Sequence, residues 1–349
     1  GIKRIINGPF TFAPDGNPLM GPVPGLKGFW SCCAVMAGFS QGGGVGLALA
    51  EWMIEGEPSR DIFAMDVARY GDWTTPAYTR AKTRENYQRR FAISYPNEEL
   101  PAARPFHTTP AYAIWDEQRA VFGSGFGLEH VNYFAPQGEP REEVPSFRRS
   151  NAFDAVGAEC RNVRENVGIN EIHNFSKFLV EGPDAEIWLS RIMAGRIPAE
   201  GRMALAPMLN NQGRLIGGFT ITKLGPETFR LNASYAAQSY HHRWFMEHLP
   251  EKGVTVRNIS LDQIGFQIAG PKARDLLART TRADVSNEAL PFLAARRINV
   301  GLTDALVCRV TYTGDLGYEI YVAPREQRAL YLALAEAGAD LGLKPFGMR

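Results

Sequence analysis

The clearest pattern in the chain is a short apolar run that ends in Gly-Pro and is followed by an amphipathic segment. Residues 177–195, KFLVEGPDAEIWLSRIMAG, have this pattern, and residues 265–281, GFQIAGPKARDLLARTT, repeat it. Proline suits the first turn of a helix because the N–H that it lacks would have no helical partner there. Each copy is therefore predicted to form a strand, a tight turn and a helix. Two copies indicate a domain of duplicated βα units with helices packed on a sheet.

A second pattern, VTYTGDLGYEIYV at residues 310–322, predicts a strand that leaves a glycine turn. Side chains alternate between the two faces of a strand, so Glu319 is expected to point away from Tyr318 and Ile320. Two interpretations stay open. Glu319 faces solvent, or it lines a cavity, where a carboxylate can accept paired N–H donors from a heterocycle.

A glycine run at residues 38–53, GFSQGGGVGLALAEWM, precedes an apolar segment that predicts a helix, with Gly56 as its stop. The residues Gly42, Gly43, Gly44 and Gly46 leave their backbone N–H groups unshielded by side chains, and the helix that starts there would favour an anion or an electron-rich carbonyl. The spacing is not that of a dinucleotide-binding fingerprint. A tight strand-to-helix turn is the alternative explanation.

Histidines are the remaining candidates for chemistry near neutral pH. His241 and His242 stand in YAAQSYHHRWFMEHLP, residues 235–250. Consecutive helical residues face different directions, so the two cannot easily serve one site. No His or Cys spacing typical of a metal site occurs, and no nucleophile or phosphate-loop motif does either, so no metal and no catalytic residue is assigned.

Composition narrows the function classes. The 38 basic and 37 acidic residues nearly cancel, so nothing favours nucleic acid or an anionic membrane as a partner. No apolar run approaches the roughly 20 residues of a membrane helix, and no signal-like apolar region opens the chain. We therefore expect a cytoplasmic protein, or a mitochondrial matrix protein in a eukaryote. The four cysteines are expected to be buried free thiols in a reducing compartment.

Three segments are predicted from the changes in composition. Residues 1–67 are rich in Gly and Pro, and residues 68–145 contain a polar, basic helix candidate, TPAYTRAKTRENYQRRFAI, followed by an aromatic, Gly-rich stretch and a polar linker. Residues 146–349 contain the regular strands and helices. The predicted fold class is accordingly mixed, α/β and α+β.

Together these motifs resemble the dimethylglycine/sarcosine dehydrogenase family. FTFAPDGNPLMGPVPGLKGFWSCCAVMAGFSQGGGVGLALAEWMIEG is similar to the end of that family's FAD domain, and PAYAIWDEQRAVFGSGFGLEHVNYFAP to its central segment. The stretch VGINEIHNFSKFLVEGPDAEIWLSRIMAGRIPAEGRMALAPMLNNQGRLIGGFTI resembles the folate-binding domain shared with the glycine-cleavage aminomethyltransferase, and IAGPKARDLL and YTGDLGYEIYV continue it.

The resemblance implies oxidative N-demethylation of a small amino acid, with FAD as oxidant and tetrahydrofolate as acceptor of the one-carbon unit. It implies that Gly42 to Val45 lie beside the flavin pyrimidine edge and that Glu319 binds the pterin amino group. Tyr312 and His241 are further folate candidates. The implied partners are the amine, folate, and an electron-acceptor protein or an oligomer partner.

The chain also departs from the family pattern. No pyrophosphate loop precedes residue 38, and relatives carry Asp where His241 stands, three residues before Trp244. The resemblance also implies a closing β-rich domain after GLKPFGMR, so we expect the chain to be part of a longer polypeptide. Two alternatives follow: a folate-binding aminomethyltransferase-like protein without redox activity, or a non-catalytic fragment or subunit that needs a partner chain.

Overall fold

The computed structural model describes residues 1–8 and 10–349. These residues divide into two compact units. Unit 1 comprises residues 1–94 and 100–104, and unit 2 comprises residues 95–99 and 105–349. The division differs from the boundaries that composition suggests, because the segment 68–145 is split between the units.

Unit 1 is built on a short antiparallel hairpin and two helices. Its elements are β1 (Leu19–Pro22), β2 (Trp30–Cys33), α1 (Gly38–Glu55) and α2 (Pro76–Arg89). Trp52 of α1 packs its ring at 85° to that of Trp30, with 5.8 Å between the centroids. The polar helix predicted after residue 75 is α2, and the side chain of Thr75 caps it by accepting a hydrogen bond from the N–H of Tyr78.

The glycine run is expected to form a loop before a helix, and the structure differs. The helix begins at Gly38, so Gly42, Gly43, Gly44 and Val45 lie inside it rather than in a loop before it. Backbone N–H groups at that depth bond to carbonyls four residues earlier and are not free for a ligand. The helix ends at Glu55, and Gly56 takes a left-handed conformation with φ 82°, as expected of a stop residue.

Unit 2 contains most of the secondary structure. Its helices are α3 (Tyr112–Glu117), α4 (Ala152–Glu165), α5 (Ala185–Ile192), α6 (Gln238–Glu247), α7 (Ala273–Thr280) and α8 (Gln327–Gly338). Its strands are β3 (Ala120–Gly125), β4 (Leu128–Phe134), β5 (Val167–Glu171), β6 (Phe175–Glu181), β7 (Met203–Leu209), β8 (Leu215–Gly225), β9 (Thr228–Ser234), β10 (Thr255–Asn258), β11 (Ile264–Ala269), β12 (Ala295–Val300), β13 (Thr303–Cys308), β14 (Gly317–Val322) and β15 (Leu343–Pro345).

Two main sheets organise these strands. The five-stranded sheet has the order β10-β6-β9-β8-β7, and the six-stranded sheet has the order β12-β13-β14-β11-β5-β15. Neighbouring strands are antiparallel except for β15 and β5, which run parallel. Strands β3 and β4 form a separate hairpin. The mixed fold class predicted from the sequence is confirmed.

The repeated Gly-Pro motif joins a strand to a helix in both sheets, as predicted: β6 leads to α5, and β11 leads to α7. Gly182 and Gly270 have φ values of 135° and 129°. A Cβ at Gly182 would lie 2.2 Å from the carbonyl oxygen of Gly253, and one at Gly270 would lie 2.5 Å from that of Asn166. Both turns therefore require glycine, for backbone conformation and for space.

Each sheet packs one face on its helices and turns the other face inward. On β9, Phe229, Leu231 and Ala233 belong to the core beneath α5 and α6. On β14, Tyr318 and Ile320 belong to the core beneath α7 and α8. Since side chains alternate along a strand, the intervening residues of both strands point to the opposite faces. A third, smaller apolar cluster, which includes Ile172, Met203, Leu306, Cys308 and Tyr321, lies on those faces.

The cysteines differ from expectation. Cys308 is buried, but Cys32, Cys33 and Cys160 are exposed free thiols. Cys32 and Cys33 lie on β2, which is the second strand of a two-stranded hairpin and has few neighbours to cover it. An apolar neighbourhood in sequence therefore did not bury these side chains.

Candidate functional site

A row of polar side chains crosses the inward face of the six-stranded sheet. Asn170 on β5 pairs with Gln267 on β11, Gln267 pairs with Glu319 on β14, and Glu319 pairs with Cys308 on β13. Directly opposed residues on antiparallel strands project to the same face. The register thus collects two amides, a carboxylate and a thiol that are far apart in sequence.

Glu319 is the acidic centre of this row and is partly, not fully, buried. Its Oε2 accepts a hydrogen bond of 2.7 Å from the hydroxyl of Tyr321. Within the described part of the chain, Oε1 accepts none. Burial raises the pKa of Glu319, while the Tyr321 hydrogen bond and the positive charges of Arg230 and Lys177 oppose that rise. A carboxylate with one oxygen unused can accept further N–H donors.

Two cations from the five-stranded sheet face this carboxylate. Arg230 on β9 stacks its guanidinium 3.8 Å from the centroid of the Tyr321 ring, and the ammonium of Lys177 on β6 lies 5.8 Å from the same centroid. Asn232 on β9 donates a hydrogen bond of 2.9 Å to the Tyr321 hydroxyl. Tyr321 is therefore the meeting point of the two sheets.

Burial shifts the pKa values of Lys177 and Cys308. Burial lowers the pKa of Lys177, and the positive charge of Arg230 lowers it further. The Lys177 ammonium nevertheless donates to the backbone carbonyls of Phe175 and Ser260, at 3.0 and 3.1 Å. Burial also raises the pKa of the Cys308 thiol to about 12, which makes it a weak nucleophile.

An open cavity of about 340 Å³ adjoins the row of polar side chains. Asn170 and Gln267 from the row line it, together with the rings of Phe175, Tyr312 and Phe346. Four charged residues also line it: Glu159, Arg164, Asp315 and Arg349. Aromatic walls with a few polar groups are typical of a site for a flat small molecule with polar edges. The size and lining suit a ring system.

The structure brings Tyr312 close to Glu319 through Gln267. The backbone N–H of Tyr312 donates a hydrogen bond of 2.6 Å to Gln267 Oε1, and Gln267 opposes Glu319 in the register. The Tyr312 side chain is 75% exposed, and its ring lies 6.3 Å from that of Phe175. Tyr312 thus stands at the mouth of the cavity.

His241 lies elsewhere. Its ring packs 4.8 Å from that of Phe219 in the helix-covered core of the five-stranded sheet, on the face opposite to Arg230 and Asn232. One ring nitrogen, Nε2, is 3.0 Å from the carbonyl oxygen of Ile216. Burial lowers the pKa of His241 to about 4, so the ring is neutral near neutral pH. The structure does not bring His241 together with Glu319 and Tyr312.

Sequence reasoning missed Lys177, Arg230, Gln267 and Tyr321. A signal was present, because each cation stands in an apolar strand: Arg230 lies between Phe229 and Leu231 in TFRLNAS, and Lys177 precedes the apolar run Phe178 to Val180 in FSKFLV. The usual interpretation of such a pattern is a solvent-facing charge. The sheet face that carries Lys177 and Arg230 becomes interior only because the second sheet packs against it.

Comparison with known proteins agrees with this fold. The family model of the GCVT N-terminal domain matches residues 111–349. The chain belongs to the GCVT N-terminal domain family. A second model, the FAD dependent oxidoreductase central domain, matches residues 55–109. This GCVT-family chain therefore joins an oxidoreductase segment to a T-protein-like domain.

Its relatives confirm the resemblance inferred from the sequence. Human mitochondrial dimethylglycine dehydrogenase is 34% identical over 99% of this chain, and human mitochondrial sarcosine dehydrogenase is 28% identical over 100% of it. The chain spans only 40% and 43% of the length of these two relatives. It thus corresponds to less than half of each.

A solved structure supports the fold. Glycine cleavage system aminomethyltransferase T from Bartonella henselae superposes with a TM-score of 0.57 at 21% identity, over 69% of this chain and 60% of that one. In residues 1–8 and 10–349, no helix is long and apolar enough to cross a membrane, and no group of three or more His, Cys, Asp or Glu side chains could hold a metal ion.

Proposed function

We propose that the protein is part of an FAD-dependent oxidoreductase that oxidatively demethylates a small N-methyl amino acid of the dimethylglycine or sarcosine class. In this proposal unit 2 binds tetrahydrofolate, which receives the one-carbon unit. The observation that carries the proposal is Glu319, a partly buried carboxylate with an unused oxygen, which is paired in the sheet register with Gln267 of the aromatic-walled cavity. The family match over residues 111–349 supports it.

The residues at the site complement the hydrogen-bonding groups of a reduced folate. The ring of a folate carries an amino group next to a ring N–H, and a carboxylate can accept both at once. Glu319 offers Oε1 for this purpose, while the Tyr321 hydroxyl holds Oε2 in place. Phe175 and Tyr312 offer apolar surfaces at the cavity, against which a flat ring can pack.

The protein residues act by binding and orientation. When bound, FAD would supply the oxidising power for the amine, and tetrahydrofolate would supply the acceptor for the one-carbon unit. Donors from a ligand favour the ionised form of Glu319 and so lower its raised pKa. Ligand binding would therefore release a proton from any fraction of Glu319 that is protonated.

The flavin side of the proposal rests on unit 1. The first turn of α1, at Gly38 and Phe39, replaces Gly42 to Val45 as the part of the helix whose N–H groups can meet a ligand. Phe39 is fully exposed, so this turn is accessible in unit 1. The match of residues 55–109 to the central domain of FAD dependent oxidoreductases supports flavin use.

An anaerobic titration tests the proposal against the alternatives. The intact protein is purified, its visible spectrum is recorded, and dimethylglycine or sarcosine is added without oxygen. We expect flavin bands that bleach with one of these amines, and a one-carbon product that depends on added tetrahydrofolate. A folate-binding protein without flavin bands would favour the aminomethyltransferase-like alternative. Absence of both flavin and folate binding would favour a non-catalytic subunit.

A further inference from the structure

The buried guanidinium of Arg230 lacks acceptors for two of its nitrogens. Arg230 is 1% exposed, and within the described residues its Nε and Nη2 have no hydrogen-bond partner. No carboxylate of the described chain lies within ion-pair distance of it. A buried charge without acceptors is costly, because burial removes the water that would otherwise bind it. An acceptor oxygen from outside the chain would remove that cost.

The stacking on Tyr321 leaves these nitrogens available. A guanidinium that stacks on a ring makes its cation–π contact through its face, while its N–H groups point outward in its own plane. Arg230 lies 3.8 Å from the ring centroid of Tyr321. The tyrosine therefore fixes the orientation of Arg230 without using its hydrogen-bonding capacity.

Lys177, unlike Arg230, already has acceptors for its ammonium group. Its ammonium already donates to the carbonyls of Phe175 and Ser260. Asn232, two residues along β9 from Arg230, is bound to the Tyr321 hydroxyl through Nδ2, and its Oδ1 is buried without a donor. The unused donors on this side of Tyr321 therefore belong to Arg230.

A hydrogen-bond donor, Arg230, and an acceptor, Glu319, both contact Tyr321. Arg230 stacks on the Tyr321 ring, and Glu319 accepts a hydrogen bond from the Tyr321 hydroxyl. A ring with an amino group and a carbonyl on one edge needs this combination, since the amino group binds a carboxylate and the carbonyl binds a guanidinium. We infer that Arg230 donates to the ring carbonyl of the 2-amino-4-oxo pteridine whose amino edge Glu319 binds, and so selects a 4-oxo ring over a 4-amino ring. This inference rests on the proposed folate function.

Folic acid and aminopterin test it, because they differ only at ring position 4, where folic acid carries an oxygen with a proton on the neighbouring N3 and aminopterin carries an amino group with no proton on N3. Calorimetry on the intact protein gives the affinity of both ligands for the wild type and for Arg230→Gln. We expect the substitution to weaken folic acid by roughly 10- to 100-fold, the range of a charged hydrogen bond, and to leave aminopterin unchanged or tighter. The affinity ratio then shifts by at least tenfold.

Three further variants keep the result interpretable. Glu319→Gln should weaken both ligands, because both carry the 2-amino group, and Arg257→Gln, an exposed cation on β10, should change neither. Should Arg230→Gln fail to fold, Arg230→Lys keeps the charge but loses the fork of donors and must also lower the ratio. Equal weakening of both ligands, or of neither, in a folded Arg230 variant overturns the inference but leaves the proposed function intact. A wild type that binds no folate overturns both.

Discussion

The hydroxyl of Tyr321 donates a hydrogen bond of 2.7 Å to Oε2 of Glu319, two residues earlier on the same strand. Residues two apart on a strand share a face, so this bond lies on the inward face of the six-stranded sheet. The same hydroxyl accepts a hydrogen bond from Asn232 of the other sheet. One phenol thus joins the two sheets and orients the carboxylate that the proposed site depends on.

Tyr321→Phe should destabilise the protein and loosen the site. It keeps the ring beneath Arg230 but removes both hydrogen bonds, one of which goes to a group that can carry a charge. We expect the free energy of unfolding in urea to fall by roughly 1–3 kcal/mol. The hydrogen bond from Tyr321 lowers the pKa of Glu319, so its loss should raise that pKa further. Tyr312→Phe is the control, because Tyr312 is exposed and should change stability by less than about 0.5 kcal/mol.

His241 should make the protein sensitive to acid. Its pKa falls to about 4 in the folded state, below the ordinary value of 6.5, so the unfolded chain binds a proton more readily. The part of the free energy of unfolding that depends on a neutral His241 ring is therefore present above about pH 6.5. It is lost as the pH falls towards 4, by roughly 3 kcal/mol in total. Urea unfolding of the wild type and His241→Gln across this range measures the difference. Parallel stability curves for the two proteins would contradict the prediction.

The four thiols should react in two classes. Cys32, Cys33 and Cys160 are exposed, whereas Cys308 is buried with a pKa of about 12. Since the thiolate is the reactive form, iodoacetamide at pH 8 should label the first three in the native protein and spare Cys308. Mass spectrometry before and after denaturation locates the labels. Native labelling of Cys308 at a rate like that of Cys160 would show that the space between the sheets is open to solvent.

The sequence was informative where one local pattern decided the structure. The two Gly-Pro units were predictable because each needs only a strand, a left-handed glycine and a helix start within a few residues. The orientation of Glu319 away from Tyr318 followed from strand alternation alone, but whether it faced solvent or a cavity could not be read from the strand. That choice depends on a second sheet, which packs its own outer face, with Arg230 and Lys177, against it.

The start of α1, in contrast, does not follow from the local sequence pattern. Glycine costs about 1 kcal/mol per residue relative to alanine in a helix, so a run of glycines predicts a loop. The structure nevertheless begins the helix at Gly38 and buries Val45 and Trp52, two turns apart, on one side. Trp52 fits against Gly21 of β1, where a Cβ would lie 2.6 Å from its ring. Packing between distant residues thus outweighed local propensity.

The most direct test of the account is the affinity of the intact protein for tetrahydrofolate, measured anaerobically by calorimetry for the wild type, Glu319→Gln and Glu181→Gln. Glu181 is a matched control, because it is a glutamate at the exposed end of β6, paired with Arg257. The account predicts that Glu319→Gln weakens binding by roughly 1.5–3 kcal/mol, about 10- to 150-fold, and that Glu181→Gln does not. Equal affinity of the wild type and Glu319→Gln would contradict a folate site at Glu319.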